Sequence, residues 1–220
     1  MHNVNLGADE PVKKKAEIIT IDPTNTDPAF SRCKQVVASG GVVVYPTDTY
    51  YGLGADPRDS RAVRKLFEIK NRSADHPILL LIADPAEVKD WTEVIPSQAA
   101  DLMKRHWPGP LTIIFRAKAD VLPELTAGTG MIGLRVPGNK LTRGLLQSLG
   151  CALTGTSANR SGQASIRTAA EAETAIGDRV DLILDGGETT GGKPSTVVDV
   201  SADVLRVLRE GAVPLRDITG

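Results

Sequence analysis

Short apolar runs alternate with stretches of helical spacing through the first half of the chain. The apolar runs predict strands at 18–21, 42–45 and 78–83. Apolar residues three or four positions apart predict helices that begin at Asp27-Pro28, at Asp59 or Ser60, at Asp84-Pro85 and at Ser97. Strands that alternate with helices in this way are typical of an α/β sheet.

The second half of the chain has more closely spaced apolar runs. They predict strands at 111–115, 132–136, 152–154, 182–184, 196–200 and 204–208. A three-residue connection between the last two leaves no room for a crossover, so these strands must pair antiparallel. We find no internal repeat and no linker that would separate two domains. The sequence therefore predicts an α/β protein with an open, twisted, mixed β-sheet and flanking helices. It also predicts a single domain over residues 18–215, which follows a flexible tail over residues 1–17.

Composition narrows the functional classes. The 220 residues include 26 basic and 27 acidic side chains, for a net charge of −1, and only 4% are aromatic. This charge balance argues against a protein that coats nucleic acid electrostatically, and the few aromatic residues argue against a base-stacking platform. Cys33 and Cys151 form neither a disulfide framework nor a metal-binding motif, so no protein metal site is predicted.

The distribution of apolar residues also bears on location. The longest apolar run, 78–83, is far shorter than the roughly 20 residues that span a membrane. Residues 1–17 are polar and carry three consecutive lysines with no apolar stretch behind them, unlike a signal peptide. We therefore expect a cytoplasmic protein with no membrane partner.

Two clusters of small polar residues and glycine directly follow predicted strands. Residues 46–54 read Pro-Thr-Asp-Thr-Tyr-Tyr-Gly-Leu-Gly, and residues 154–162 read Thr-Gly-Thr-Ser-Ala-Asn-Arg-Ser-Gly. Ligands of open α/β sheets bind at strand ends, although 46–54 fits a hydrogen-bonded turn equally well. The hydroxyls, amide and backbone N–H groups of 154–162 are the parts of an anion-binding nest, but the lysine and glycine spacing of a Walker loop are missing.

A third cluster is basic. Residues 58–72 contain six basic and two acidic side chains, most of them on what we expect to be a solvated helix face. Lys70 and Arg72 lie at the end of that helix and His76 follows, and three donors on one loop suit a polyphosphate. The other two histidines lie in the tail and before a Trp-Pro turn, so a Ser-His-Asp triad is not supported.

Two further arginines adjoin predicted strands. Arg135 interrupts the apolar strand 132–136, and a charge in such a strand needs an anion to meet. Arg209 follows the strand 204–208 and either pairs with Glu210 at the surface or contributes to a site. Together with Lys70 and Arg72, these arginines would form a cationic site for a ligand with several negative groups.

Seven stretches of the chain, taken together, carry a resemblance to a known family. They are 46–54, 70–73 (Lys-Asn-Arg-Ser), 107–112 (Trp-Pro-Gly-Pro-Leu-Thr), 135–137 (Arg-Val-Pro), 157–162 (Ser-Ala-Asn-Arg-Ser-Gly), 195–199 (Ser-Thr-Val-Val-Asp) and 208–211 (Leu-Arg-Glu-Gly). In this order they resemble the YrdC family, the threonylcarbamoyl-AMP synthases of tRNA modification. The chain looks like the short form of that family.

The resemblance implies a YrdC-like fold and a defined reaction. L-Threonine, bicarbonate and ATP would give L-threonylcarbamoyl-AMP, pyrophosphate and water. A downstream threonylcarbamoyl transferase complex would then modify the adenosine beside the anticodon of tRNA. Mg²⁺ would arrive bound to ATP, since the sequence shows no dedicated metal cage.

The resemblance also implies roles for individual residues. Lys70 and Arg72 would be the catalytic residues. Threonine would be bound by Thr49, Arg135, Ser157 and Ser195. ATP would be bound by Arg72, His76, Asn159 and Arg209. We expect catalysis mainly by positioning and charge stabilisation.

Three positions depart from the family pattern. His76 stands where relatives often carry asparagine, Leu81 where some carry a histidine near the threonine, and Arg167 where a small hydroxyl residue is usual. Two alternatives stay open: a double-stranded-RNA-binding module, with possible tRNA contact, and a catalytically altered paralogue of the same fold. The Lys-x-Arg and Ser-x-Asn elements at 70–72 and 157–159 favour the enzyme.

Overall fold

The computed structural model describes residues 15–71, 76–202 and 204–219. In these ranges the helices are α1 (Asp27–Ala38), α2 (Ser60–Lys70), α3 (Ser97–His106), α4 (Pro123–Thr126), α5 (Lys140–Leu149), α6 (Ala169–Ile176) and α7 (Leu215–Thr219), with a 3₁₀ helix at Pro85–Asp90. None of these helices is long and apolar enough to cross a membrane. Residues 1–14 of the predicted tail lie outside the described residues, and so does Arg72.

The strands are short and run through the whole described chain. They are β1 (Glu17–Thr20), β2 (Val43–Tyr45), β3 (Gly52–Gly54), β4 (Leu80–Leu81), β5 (Leu111–Arg116), β6 (Met131–Arg135), β7 (Leu153–Thr154), β8 (Thr156–Ser157), β9 (Leu182–Asp185), β10 (Thr196–Asp199) and β11 (Arg206–Arg209). As predicted from their short connection, β10 and β11 pair antiparallel.

The strands form two mixed sheets. The strand order is β1-β9-β2-β3-β8 in the first sheet and β11-β10-β5-β6-β4-β7 in the second. Parallel pairs such as β1 with β9 occur beside antiparallel pairs such as β5 with β6. The predicted mixed α/β class with flanking helices is therefore confirmed, with the strands divided between two sheets instead of one continuous sheet. The chain passes from the second sheet to the first at Gly155, between β7 and β8.

The two sheets share an apolar core. Val44 of β2 belongs to a buried cluster that includes Leu53 of the first sheet and Ile113 of the second. Its neighbours Val43 and Tyr45 belong instead to a cluster with apolar residues of α1 and α5. Because successive side chains of a strand point to opposite faces, β2 is buried on both sides, which explains its uninterrupted apolar run.

Local signals set the ends of α2, which positions part of the site. The Asp59 carboxylate accepts a hydrogen bond from the backbone N–H of Arg61 at 2.9 Å, so Asp59 is the N-cap. Asn71 ends the helix in the left-handed conformation, with a φ of 47°. The predicted start of this helix is confirmed, and its end places Lys70 in the last turn with a buried side chain.

Some elements differ from the sequence-based expectation. The strand predicted at 78–83 is reduced to Leu80–Leu81: the N–H of Ile78 donates to the Leu125 carbonyl in α4, while that of Ile82 donates to Arg135 at the end of the paired strand β6. The helix expected after Asp84 is a 3₁₀ helix with a capping box. Helices α5 and α6 occupy segments for which no element was predicted.

Candidate functional site

A cavity of about 610 Å³ opens between the two sheets. Its polar lining includes Thr49, Tyr50, Thr112, Arg135, Ser157, Ser195 and Arg209. Its apolar lining includes Ile78, Leu79, Leu81, Ile114 and Val197. Such a volume, with a few polar groups converging on an otherwise apolar surface, is typical of a small-molecule site.

The segment after β2 combines a turn with part of the cavity wall. The Thr47 hydroxyl donates to the Tyr50 carbonyl at 2.6 Å and accepts from the Thr49 backbone N–H at 3.2 Å. Thr49 lines the cavity, with its Oγ1 3.3 Å from that of Thr47. The predicted hydrogen-bonded turn is confirmed, and Thr47 and Thr49 also line the cavity, while ligand binding by this segment stays a prediction.

The glycines of β3 serve packing. A Cβ at Gly54 would lie 2.6 Å from Cε1 of Tyr45, and one at Gly52 would lie 3.0 Å from Cζ of the same ring. The Tyr45 hydroxyl donates to the Thr154 carbonyl at 2.8 Å, and burial raises the pKa of this hydroxyl. Only glycine allows β3 to lie this close to the ring, which itself lines the cavity.

Arg135 is buried and has found an anion within the chain. Its Nε donates to the Gly109 carbonyl at 2.9 Å, and its Nη2 forms an ion pair with the Asp48 carboxylate. A charge in an apolar strand was expected to need an anion, and Asp48 is one. Arg135 nevertheless also lines the cavity.

Arg209 has no such carboxylate partner among the described residues. Its Nη2 donates to the Ser195 carbonyl at 2.9 Å, and the Ser195 hydroxyl shares a hydrogen bond of 2.9 Å with Thr112. The alternative pairing with Glu210 is not formed. Partial burial and, secondarily, the positive charge of Arg135 lower the pKa of Arg209. Two guanidinium groups in one cavity favour an anionic ligand.

Lys70 is enclosed by the loop that follows β8. Its Nζ donates to the carbonyls of Ser157 and Asn159 at 2.6 and 2.8 Å. The Ser157 hydroxyl and the Asn159 side-chain amide also bond to each other, and the amide nitrogen donates to the Gln163 carbonyl. Ser157 lines the cavity, whereas Lys70 and Asn159 are buried directly behind it.

The structure thus gathers most of the predicted site residues. Thr49, Arg135, Ser157, Ser195 and Arg209 line one cavity, with Lys70 and Asn159 behind its wall. His76 is exposed and immediately precedes Pro77 and Ile78, which line the cavity. The predicted roles of all these residues stay predictions.

Three residues acquire places that the sequence did not reveal. Asp48 was part of a noted motif but was not assigned to Arg135, because residues so far apart in sequence give no local signal of contact. Thr112 lines the cavity and holds Ser195. Arg167 binds the segment after β9, with Nη2 2.9 Å from the Glu188 carboxylate and Nε 3.3 Å from the Thr189 carbonyl.

The basic run at 58–72 is largely neutralised where it is exposed. Arg64 pairs with Glu124 at 3.1 Å and Arg61 with Asp59 at 3.5 Å. Arg58 lies over the Trp91 ring, 4.6 Å from its centroid. These contacts fit a solvated helix face better than a continuous surface for RNA.

Among the described residues, no three His, Cys, Asp or Glu side chains are grouped to hold a metal ion. The Trp-Pro-Gly-Pro turn is held by the buried Trp107 indole, which donates to the Leu111 carbonyl at 2.7 Å. A second cavity, of about 370 Å³, is lined by residues that include Asp56, Glu87 and Cys151 but by none of the predicted site residues.

Comparison with known proteins places this geometry in context. The family model Sua5/YciO/YrdC, described as "Telomere recombination", matches residues 35–211. The threonylcarbamoyl-AMP synthase of Bacillus subtilis is 36% identical over 201 residues, which are 91% of this chain and 58% of that protein. The corresponding protein of Thiobacillus denitrificans is 38% identical over 162 residues, covering 74% of this chain and 86% of that protein. The chain thus spans less than two thirds of the Bacillus relative.

Solved structures of Sua5 and YciO proteins have the same fold as this chain. Pyrococcus abyssi Sua5 complexed with L-threonine has a TM-score of 0.88 and 33% identity, covering 91% of this chain and 59% of that one. Escherichia coli YciO has a TM-score of 0.84 and 31% identity, covering 92% of this chain and 99% of that one. The first of these structures contains an amino acid that the site residues above were predicted to bind.

Proposed function

The chain belongs to the Sua5/YciO/YrdC family, and we propose that it is an L-threonylcarbamoyladenylate synthase. It would convert L-threonine, bicarbonate and ATP into L-threonylcarbamoyl-AMP, pyrophosphate and water. One observation carries this proposal: hydroxyl groups from both sheets and two guanidinium groups from the second sheet converge on a single cavity. Three anionic groups, a carboxylate, a carbamate and a triphosphate, are what such a lining suits.

We assign threonine to the part of the cavity beside Arg135. A guanidinium offers paired N–H donors to a carboxylate, and the hydroxyls of Thr49, Ser157 and Ser195 add neutral donors and acceptors. The apolar lining, which includes Leu81, suits the methyl group of threonine. The Pyrococcus relative solved with L-threonine supports this choice of substrate.

We assign ATP to the part beside Arg209, because this cation lies at the edge strand β11 with no carboxylate partner among the described residues. Asn159, His76 and Arg72 would complete the nucleotide site, as the family resemblance implies. Mg²⁺ would enter as its ATP complex, since phosphate oxygens are ligands that this ion prefers and the described residues offer no metal cage of their own.

The proposed chemistry has two steps. The threonine amine attacks the bicarbonate carbon, and water leaves, so that a carbamate forms. A carbamate oxygen then attacks the α-phosphorus of ATP, and the bond to pyrophosphate breaks. The chain would contribute by orienting the carboxylate through Arg135 and by stabilising phosphate charge through Arg209. Lys70 and Arg72 would be the catalytic residues, as the family resemblance implies. Lys70 lies buried behind Ser157, which lines the cavity.

The product is a mixed anhydride and needs an acceptor. We therefore propose, with the family resemblance, that a threonylcarbamoyl transferase complex takes it to tRNA. Direct contact of this chain with tRNA or double-stranded RNA stays a prediction, as does the cytoplasmic location.

The test is pyrophosphate release by the purified chain supplied with ATP, Mg²⁺, L-threonine and bicarbonate. Release that requires both threonine and bicarbonate is expected, whereas release independent of threonine would refute the proposal. Arg209→Ala should lower kcat/KM for ATP by about 10- to 100-fold, the effect of losing a charge-assisted hydrogen bond. Arg206→Ala, an exposed arginine on the same strand that does not line the cavity, is the matched control.

A further inference from the structure

Asp48 holds Arg135 from behind the cavity. One oxygen of its carboxylate forms the ion pair with Nη2 of Arg135, and the other accepts from the backbone N–H of Gly138 at 3.2 Å. Both side chains are largely shielded from solvent, with exposed fractions of 7% for Arg135 and 18% for Asp48. Asp48 does not itself line the cavity. We therefore expect Asp48 to affect a ligand of this cavity through Arg135.

The backbone that carries Asp48 is fixed by neighbouring elements. The Thr142 hydroxyl, in the first turn of α5, donates to the Pro46 carbonyl at 2.7 Å, and the Asn139 amide donates to the Thr47 carbonyl at 3.3 Å. From the other side, the Thr190 hydroxyl donates to the Asp48 carbonyl at 2.9 Å. These hydrogen bonds fix the backbone at Asp48, so its carboxylate can hold the Arg135 guanidinium in one orientation.

Arg135 uses two donors in this arrangement. Nε donates to Gly109 and Nη2 to Asp48, and Nη1 has no hydrogen-bond partner among the described residues. A guanidinium has five N–H donors in a rigid plane, so fixing two of them orients the rest.

We propose that Asp48 is a positioning residue that orients the Arg135 guanidinium so that its remaining N–H groups bind the carboxylate of the amino-acid substrate. This inference rests on the proposed function, since it assigns the amino acid to Arg135. Asp48 acts on binding of the amino acid, while nucleotide binding beside Arg209 depends on it little.

Gly138 offers an independent way to disturb the same contact. A Cβ at Gly138 would lie 2.9 Å from Oδ2 of Asp48 and 3.6 Å from Cα of Gly109. The Asp48 carboxylate would have to shift to admit it, which disturbs the geometry of its contact with Arg135. Gly138→Ala should therefore reproduce, more weakly, the effect of removing the Asp48 charge.

The experiment measures KM for threonine at saturating ATP, KM for ATP at saturating threonine, and direct threonine binding by calorimetry without ATP. Asp48→Asn keeps the shape and loses the charge, and should weaken threonine binding about 10- to 100-fold. KM for ATP should stay within about twofold. Asp120→Asn is the matched control, because Asp120 is an exposed aspartate 3.9 Å from an arginine, Arg58, away from the cavity.

A double-mutant cycle separates positioning from a general structural role. In an Arg135→Ala background, Asp48→Asn should have no further effect on threonine binding. Equal losses for threonine and ATP, additive losses in the double mutant, or a lowered Tm with unchanged threonine affinity would each overturn the proposal. If the wild type binds threonine but releases no pyrophosphate, the proposed function fails while the calorimetry still decides the role of Asp48. A wild type that binds no threonine overturns both.

Discussion

Lys70→Met measures the contribution of the buried ammonium to stability. The substitution removes the donor to the carbonyls of Ser157 and Asn159, at 2.6 and 2.8 Å. Each charge-assisted bond contributes about 1.5–3 kcal/mol, whereas burial of the ammonium costs several kcal/mol that methionine does not incur. We expect the free energy of unfolding to fall by about 2–4 kcal/mol, equivalent to a Tm lower by roughly 5–15 °C.

Urea denaturation measures this loss, and hydrogen exchange locates it. Exchange should accelerate at the backbone N–H groups of residues 157–163, because the loop around Lys70 loses its central donor. Lys65→Met is the control: Lys65 is exposed on the same helix, and its Nζ donates to a single carbonyl, that of Gly40, at 2.9 Å. Equal losses for Lys70→Met and Lys65→Met, or unchanged exchange at 157–163, would refute the reasoning.

Three further predictions concern packing, pH and thiol chemistry. Gly155→Ala should lower the free energy of unfolding, measured in urea melts, by about 1–3 kcal/mol. The added Cβ would lie 2.5 Å from Cδ1 of Leu79 and 3.0 Å from Cγ of Leu81, so an unchanged stability would contradict this packing. Burial, with smaller contributions from Asp84 and Asp90, raises the pKa of Glu87 above its ordinary 4.5. The folded state therefore binds this proton more tightly, and the free energy of unfolding should fall as pH rises through the interval just above 4.5. Glu87→Gln should weaken that dependence, and identical pH profiles of the two proteins would count against it. Burial raises the pKa of Cys33 to about 12 and that of Cys151 to about 11. Alkylation by iodoacetamide at about pH 8 should therefore require unfolding at the buried Cys33 and be slow at the partly exposed Cys151, and rapid labelling of Cys33 in the folded protein would contradict this.

The first half of the fold could be predicted because its signals are local. The apolar run that became β2, the cap at Asp59 and the proline at the start of α1 each act within a few residues. Signals for α5 and α6 were also present, an Asn139 cap and a Thr168 capping box. In α5 the interior Gly144 obscures the helix, since glycine disfavours helices; here it packs against Phe30, where a Cβ would lie 3.3 Å from the ring.

The division into two sheets could not be predicted, because β3 and β8 are two or three residues long and β3 contains two glycines. Such strands have little intrinsic preference and form through tertiary pairing. The site shows the same limit. The sequence indicated that Arg135 needs an anion, but its pairing with Asp48 depends on how the loop after β2 lies beside β6.

The position of β9 has a consequence for how the molecule assembles on the ribosome. β9 lies between β1 and β2 and pairs parallel with both. These two strands, within residues 17–45, therefore cannot form this pairing until residues 182–185 have been synthesised. Until then their open edges are available to other chains, and the high sequence separation makes this closure slow. Lys70 likewise cannot form its hydrogen bonds until residues 157–159 have been synthesised. The cavity is therefore completed late in synthesis: a chain interrupted before β9 would leave the facing edges of β1 and β2 unpaired and would lack Ser195 and Arg209 of the cavity.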